Sequence, residues 1–302
     1  MKLLKILDEM QIKYKCESDC DFDSLGLAGY NNGNNVCTFV DNEKYLKEIS
    51  TNISLIITNE KIAEHFKGKE TSFEYCIVEN PRITFFKVHN YLTNSIEYRR
   101  EYFCTKIGEN CNISRSAFIA ENNVIIGDNV TIEEFTVIRE NTIIGDNSII
   151  RAGCKIGGDG FEFKNTGSEV FRVKHIGGVV VGKEVEIQYN SCVDKAIYPW
   201  DNTIIGNYCK IDNLVHIGHA VKIGDRTMVV ANSGIGGRVA IGNDSWIGFG
   251  ATLRNGINVG NNSRANMGSV VTQSIDDNQA VTGNFAINHD MFIQKIKIEG
   301  ED

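Results

Sequence analysis

The chain has 302 residues, 42% of them apolar, and a formal charge of −8. That is enough apolar content to bury one large core or two ordinary domains. The acidic balance argues against nonspecific attraction to nucleic acid or an anionic membrane and points to small-molecule partners, while a local basic pocket for a phosphate stays compatible with it.

In chain order, Met1 to Lys5 opens with charge and a short apolar run, which Asp8 and Glu9 interrupt before a signal-peptide core can form. No stretch has the length of a membrane span. Nine cysteines run from Cys16 to Cys209 without a CxxC pair, so neither a disulfide framework nor a zinc ribbon is indicated, and a reducing cytoplasm fits best. Residues 1–103 hold strand-like runs such as "SLIIT" and "EYCIVEN" beside charged, helix-compatible segments, which predicts a small α/β domain.

From Val181 an aliphatic residue recurs at every sixth position: Val181, Ile187, Val193, Ile205, Ile211, Ile217, Ile223, Val229, Ile235, Ile241, Ile247, Leu253, Val259 and Val271, with only Pro199 and Ala265 breaking the rule. Small or β-branched residues precede these sites by two positions, and glycine often follows them, as at Gly206, Gly218, Gly224 and Gly242. Three hexads make an 18-residue triangular coil. Stacked coils pair their backbones about 4.8 Å apart and align the inward aliphatics in a column. The predicted fold class is therefore mainly β: a left-handed parallel β-helix of hexapeptide repeats over 104–282, with the α/β domain before it and a short C-terminal helix capping it in 283–302. An earlier section has the same period at Ile107, Ile113 and Ile119, slips by one residue, and resumes at Ile126. Between Ile156 and Val181 the phase is lost, which reads as a loop thrown out of the prism.

In an 18-residue coil, Asp201, His219, Gly237, Asn255 and Gln273 form one column. A neutral imidazole with a pKa of roughly 6.5 removes the proton of an attacking amine near neutral pH. In an acyl transfer of that kind, His219 is the candidate base, Asp201 the group that orients its ring, and Gly237 a backbone donor facing a thioester oxygen, where a side chain would obstruct approach. His216 alternates outward on a flat face, stacked between Tyr198 and Gly234. That column supplies neither His nor Cys, so no metal is expected, although a site completed by a second subunit stays open.

The segments "GGDGF", "GGVVVGKEVEI", "CVDKA", "DNTIIG" and "IDNLVHIGHAVKIG" resemble, in order, the UDP-3-O-acylglucosamine N-acyltransferases of the lipid A pathway, and "NPRITFFKVHNYL" resembles that family's uridine-binding segment. The resemblance implies a homotrimer with sites between subunits, transfer from a phosphopantetheine thioester to a sugar amine, His219 as general base and Gly237 as backbone donor. It adds Asn80, Arg82, His175, Asp212 and His216 as candidate substrate-binding residues. Arg82 stands where the family usually has an aromatic ring, and His175 where it has glutamine.

The ending "WIGFGATLRNGINVGNNSRANMGSVVTQSIDDNQAVTGNFA" is similar to that of acetyltransferases acting on nucleotide-linked amino sugars with acyl-coenzyme A, and the tail beyond it is short for a carrier-protein-binding extension. That similarity makes Asn255, Gln273, Gly283 and Asn284 candidate cofactor-binding residues. The leading expectation is N-acylation of a nucleotide-linked amino sugar from acyl-coenzyme A for surface polysaccharide. The alternatives are the lipid A enzyme with acyl carrier protein, an O-acyl or formyl transferase on the same prism, and a noncatalytic sugar-nucleotide-binding scaffold.

Overall fold

A computed structural model describes residues 1–16, 21–29, 33, 35–283 and 285–299 and divides the chain into two compact units. The first is Met1–Phe103 with Asp159–Gly178 and Lys195–Asn202. The second is Cys104–Gly158, Val179–Asp194 and Thr203–Asp302.

The second unit is the β-helix. Most of its strands are two residues long, too short to stand alone, and each pairs in parallel with the strand one coil away. Ile205 lies beside Ile223, Ile211 beside Val229 and Ile217 beside Ile235, a constant offset of 18. Three sheets of nine, eight and eight strands form the faces. Inside, the aliphatic column runs from Val124 to Ile275 with side chains almost wholly removed from water. Several inward serines pair their hydroxyls with the backbone of the next coil: Ser233 donates to Gly248 O (2.9 Å), Ser245 to Gly260 O (2.8 Å) and Ser263 to Asp276 O (2.7 Å).

Two corner devices explain the hexad. From Tyr208 to Gly268 one residue per hexad takes a left-handed conformation, including bulky ones such as Tyr208 (φ 62), Leu214 (φ 56) and Arg238 (φ 61). These are uncommon geometries for such residues, held here by the ladders on either side. At one corner, Asn207 N–H donates to Asp225 Oδ1 (2.7 Å), Asp225 N–H to Asn243 Oδ1 (2.7 Å) and Asn243 N–H to Asn261 Oδ1 (2.9 Å). Side chains thus satisfy the backbone donors that the turn leaves out of the sheets.

The coil length is not constant. Ile119 pairs with Ile138, an offset of 19 that is the one-residue slip seen in the sequence. Ile144 pairs with Val181, an offset of 37, because Asp159–Gly178 leaves the prism. The predicted loop there contains a hairpin, Phe163–Asn165 against Val170–Arg172. Val193 pairs with Ile217, an offset of 24, because Lys195–Asn202 also leaves it. Pro199 is therefore not a prism position, and the hexad arithmetic passes through it only because the extra length is itself six residues.

The first unit holds a five-stranded sheet in the order β1 (Tyr14–Cys16), β5 (Glu74–Val78), β4 (Ile53–Thr58), β3 (Val36–Val40), β2 (Ser24–Leu25). Only β1 with β5 is antiparallel. Helices α1 (Leu3–Glu9), α2 (Glu60–Ala63) and α3 (Pro81–Leu92) accompany it, and α3 buries Phe85, Phe86, Val88 and Leu92. His89 fixes the hairpin segment to α3: its Nε2 lies 2.8 Å from Lys174 O and its Nδ1 3.0 Å from Tyr98 Oη. Burial, reinforced by the Lys174 charge and opposed by the bond to the Lys174 carbonyl, lowers the His89 pKa to about 4. At the C-terminus, α4 (His289–Glu299) is the predicted terminal helix. No helix among the described residues is long and apolar enough to cross a membrane.

Candidate active site

His219 follows the strand His216–Ile217 at a prism corner, where its backbone is held on both sides. Ala220 N–H donates to Thr203 Oγ1 (2.8 Å), Thr203 Oγ1 donates to Asp194 O (2.5 Å), and Arg238 N–H donates to His219 O (2.9 Å). The imidazole is only 6% exposed. It lies against Gly237: a Cβ built there would stand 2.6 Å from Nε2, 2.9 Å from Cε1 and 3.0 Å from Cδ2.

The room left by the missing side chain of Gly237 is filled by the His219 ring, so the imidazole itself requires glycine at this position. The Gly237 N–H donates to no group among the described residues, whereas at the Asp/Asn corner each equivalent N–H is taken up by a side chain one coil on.

The column above His219 follows the ladder, since Ile235 pairs with Leu253 and Leu253 with Val271. Asn255 and Gln273 are exposed along it and Gly283 is half-buried, while Asn284 lies outside the described residues. Asp201 does not continue this column on the prism. It belongs to the first unit, nearly buried, with Oδ1 accepting Asn202 N–H (2.8 Å) and its carbonyl accepting Gly178 N–H (3.0 Å) and Arg100 Nη2 (2.6 Å).

The longer coil also changes the neighbours of His216. It stacks between Cys192 and Gly234, not Tyr198, so a cysteine does lie beside it. Burial first and the Asp194 charge second push the Cys192 thiol pKa up, which keeps it protonated. The His216 ring is exposed, with Nε2 3.7 Å from Oδ2 of Asp194, a carboxylate that is only 14% exposed. No group of three or more His, Cys, Asp or Glu among the described residues is arranged to hold a metal. Asp194 is the residue that the sequence reading missed. Its signal was the cluster Tyr198-Pro199-Trp200, whose bulk does not suit a prism coil and which, read as an excursion, moves the count under His216 by six.

Asp212 is half-buried, and both its oxygens serve the fold: Oδ1 accepts Asn213 N–H (2.7 Å) and Oδ2 accepts Ala231 N–H on the next coil (3.1 Å). Asn80, Arg82 and His175 all fall in the first unit. Asn80 caps α3, its Oδ1 accepting Ile83 N–H at 3.4 Å, with Pro81 as the first helical residue. Arg82 donates from Nε to Asp41 Oδ2 (3.1 Å), and its guanidinium sits 5.5 Å from the Phe39 ring centroid. His175 is buried, with Nδ1 3.1 Å from Val173 O.

Among known proteins, the chain matches the bacterial transferase hexapeptide family (six repeats) over residues 123–158 and 202–237, segments that flank the two excursions. It is 46% identical over 88 residues, 29% of this chain, to UDP-3-O-acylglucosamine N-acyltransferase 2 of Legionella pneumophila (strain Lens), covering 25% of that relative. It is 38% identical over 136 residues, 44% of this chain, to UDP-3-O-acylglucosamine N-acyltransferase 1 of Francisella tularensis subsp. holarctica (strain OSU18), covering 33% of it. The matches thus span a quarter to a third of these curated relatives. Among solved structures, UDP-N-acetylglucosamine acyltransferase from Campylobacter jejuni is 21% identical with a TM-score of 0.48, covering 62% of this chain and 82% of that one. A variant of perosamine N-acetyltransferase from Caulobacter crescentus, with CoA and GDP-perosamine, is 13% identical with a TM-score of 0.23, covering 76% of this chain and 67% of that one. The fold rests on the ladder registers themselves, and the curated relatives are named as N-acyltransferases.

Proposed function

We propose that this protein is an N-acyltransferase that moves an acyl group from a phosphopantetheine thioester to the amine of a nucleotide-linked sugar. The observation that carries the reading is the buried His219 imidazole seated on Gly237, beside a backbone N–H that makes no hydrogen bond among the described residues. The amine nitrogen attacks the thioester carbonyl while His219 takes its proton. The Gly237 N–H supports the oxyanion that forms. The C–N bond is completed as the C–S bond breaks, and the departing thiolate takes the proton back from His219. Asp201, expected to orient that ring, accepts Asn202 N–H at its Oδ1, and no step is assigned to it here.

The relatives' names weigh toward UDP-3-O-acylglucosamine as acceptor, and the lipid A resemblance puts a hydroxyacyl carrier protein as donor ahead of the acyl-coenzyme A reaction that the C-terminal motifs suggest. On this reading the enzyme works in the cytoplasm as a homotrimer, because a closed cyclic assembly buries a flat prism face.

The test is transfer by the purified full chain, with UDP-3-O-acylglucosamine plus hydroxyacyl carrier protein in one arm and nucleotide amino sugars plus acyl-coenzyme A in the other. Transfer in the first arm, reduced about 100-fold or more by His219→Ala, is the expected result. Transfer only in the second arm would reverse the order of the two donors. No transfer in either arm, or an unchanged rate in His219→Ala, would remove the proposal.

A further inference from the structure

At one edge of the first unit's sheet, β1 and β5 run antiparallel with Tyr14 opposite Val78, Lys15 opposite Ile77 and Cys16 opposite Cys76. Directly opposed residues of such a pair project to the same face with Cα atoms about 4.5–5.5 Å apart. A disulfide spans Cα separations of about 4.4–6.8 Å, so this rung needs no backbone movement to be bridged. The side chains already meet through a Cys16–Cys76 hydrogen bond. Cys16 is half-buried on the edge strand, whereas Cys76 is fully buried. Burial first, then the charge and hydrogen bond of Cys16, push the Cys76 thiol pKa far up, so it does not oxidise by itself.

We propose that Cys16 and Cys76 form an oxidation site, in which a peroxide converts the rung to a cross-strand disulfide that staples edge strand β1 to β5. Cys16, the more accessible sulfur, attacks the peroxide oxygen. The O–O bond breaks, giving a Cys16 sulfenic acid and one water from hydrogen peroxide. The Cys76 sulfur then attacks the Cys16 sulfur. The S–S bond forms as the S–O bond breaks, and the leaving hydroxyl departs as a second water with the Cys76 proton. Two electrons pass from the two thiols to one peroxide. The staple lies beside a pocket of about 960 Å³ in the same unit, one wall of which is Tyr14 and Lys15 on β1 and Ile77 and Val78 on β5. Oxidation therefore fixes that wall, independently of any acyl-transfer chemistry.

The test uses the full reduced protein, exposed to hydrogen peroxide, blocked with N-ethylmaleimide, digested without reductant and read by mass spectrometry. The expected product is a peptide pair joined through Cys16 and Cys76, lighter by two hydrogens, released by dithiothreitol and missing from both Cys16→Ser and Cys76→Ser. Thermal unfolding of the wild type, followed in parallel, rises by several degrees on oxidation and falls back on reduction. Cys16 joined to Cys20 instead, or Cys16 carried to sulfinic acid while Cys76 is recovered as its maleimide adduct, would overturn the proposal. The wild-type measurement stands even where a serine variant fails to fold.

Discussion

The prism and the first unit bury their apolar residues by opposite means. In the prism each strand repeats its neighbour one coil away, 18 residues on wherever no excursion or slip intervenes, so one aliphatic residue per hexad is enough to specify the core. In the first unit the decisive ties join distant points of the chain: His89 to Lys174 across 85 residues, Asn90 to Arg172 across 82, and Trp200 to Leu25 across 175. A repeating architecture tolerates excursions, because a coil that leaves and returns in register still stacks. The two excursions of this chain are packed as part of the first unit rather than of the prism.

Perturbations that strike one unit and spare the other test this division. The largest expected effect is in the prism core, where Ile235→Ala removes a wholly buried side chain between two coils and costs about 2–5 kcal/mol. Hydrogen exchange should quicken along the neighbouring coils and stay unchanged in β3 to β5. Uniform acceleration in both units would mean that they unfold as one.

Acidification should do the reverse. His89 has a folded pKa of about 4 against an ordinary 6.5, so the unfolded chain binds the extra proton between these values. The stability that the neutral imidazole contributes is complete above pH 6.5 and is lost as pH falls toward 4, about 3 kcal/mol in all. The loss should register in the first unit, and His89→Gln should flatten it. An unchanged slope in that variant would assign the pH dependence elsewhere.

The smallest expected effect is again in the prism. Arg151 bridges Glu133 (2.8 Å) and Glu186 (2.7 Å) across three coils, but the cluster is partly exposed. Arg151→Ala should cost about 1 kcal/mol, and less in high salt. A loss of several kcal/mol, insensitive to salt, would show the ladder to depend on charge as much as on its core.

Legibility in the sequence follows the same division. The prism could be read because its period is a physical repeat, and the one-residue slip after Ile119 came out as a 19-residue coil. The Lys195–Asn202 excursion was hidden by its excess length of six, which left Ile205 in phase while moving Cys192 under His216 and Asp201 off the prism. The left-handed corners at Tyr208, Leu214 and Arg238 carry no glycine to announce them. In the first unit, "SLIIT" and "EYCIVEN" were legible as β4 and β5. The partners of His89 were not, because no local pattern encodes a contact across 85 residues.

The central claim is that the His219 ring, seated on Gly237, performs the transfer, and Gly237→Ala addresses it most directly. The added methyl group must displace the imidazole, since its carbon would stand 2.6 Å from Nε2. Transfer by this variant, measured as kcat beside its thermal unfolding midpoint, should fall about 100-fold or more while the β-helix stays folded. A folded Gly237→Ala protein that transfers at the wild-type rate would contradict the account.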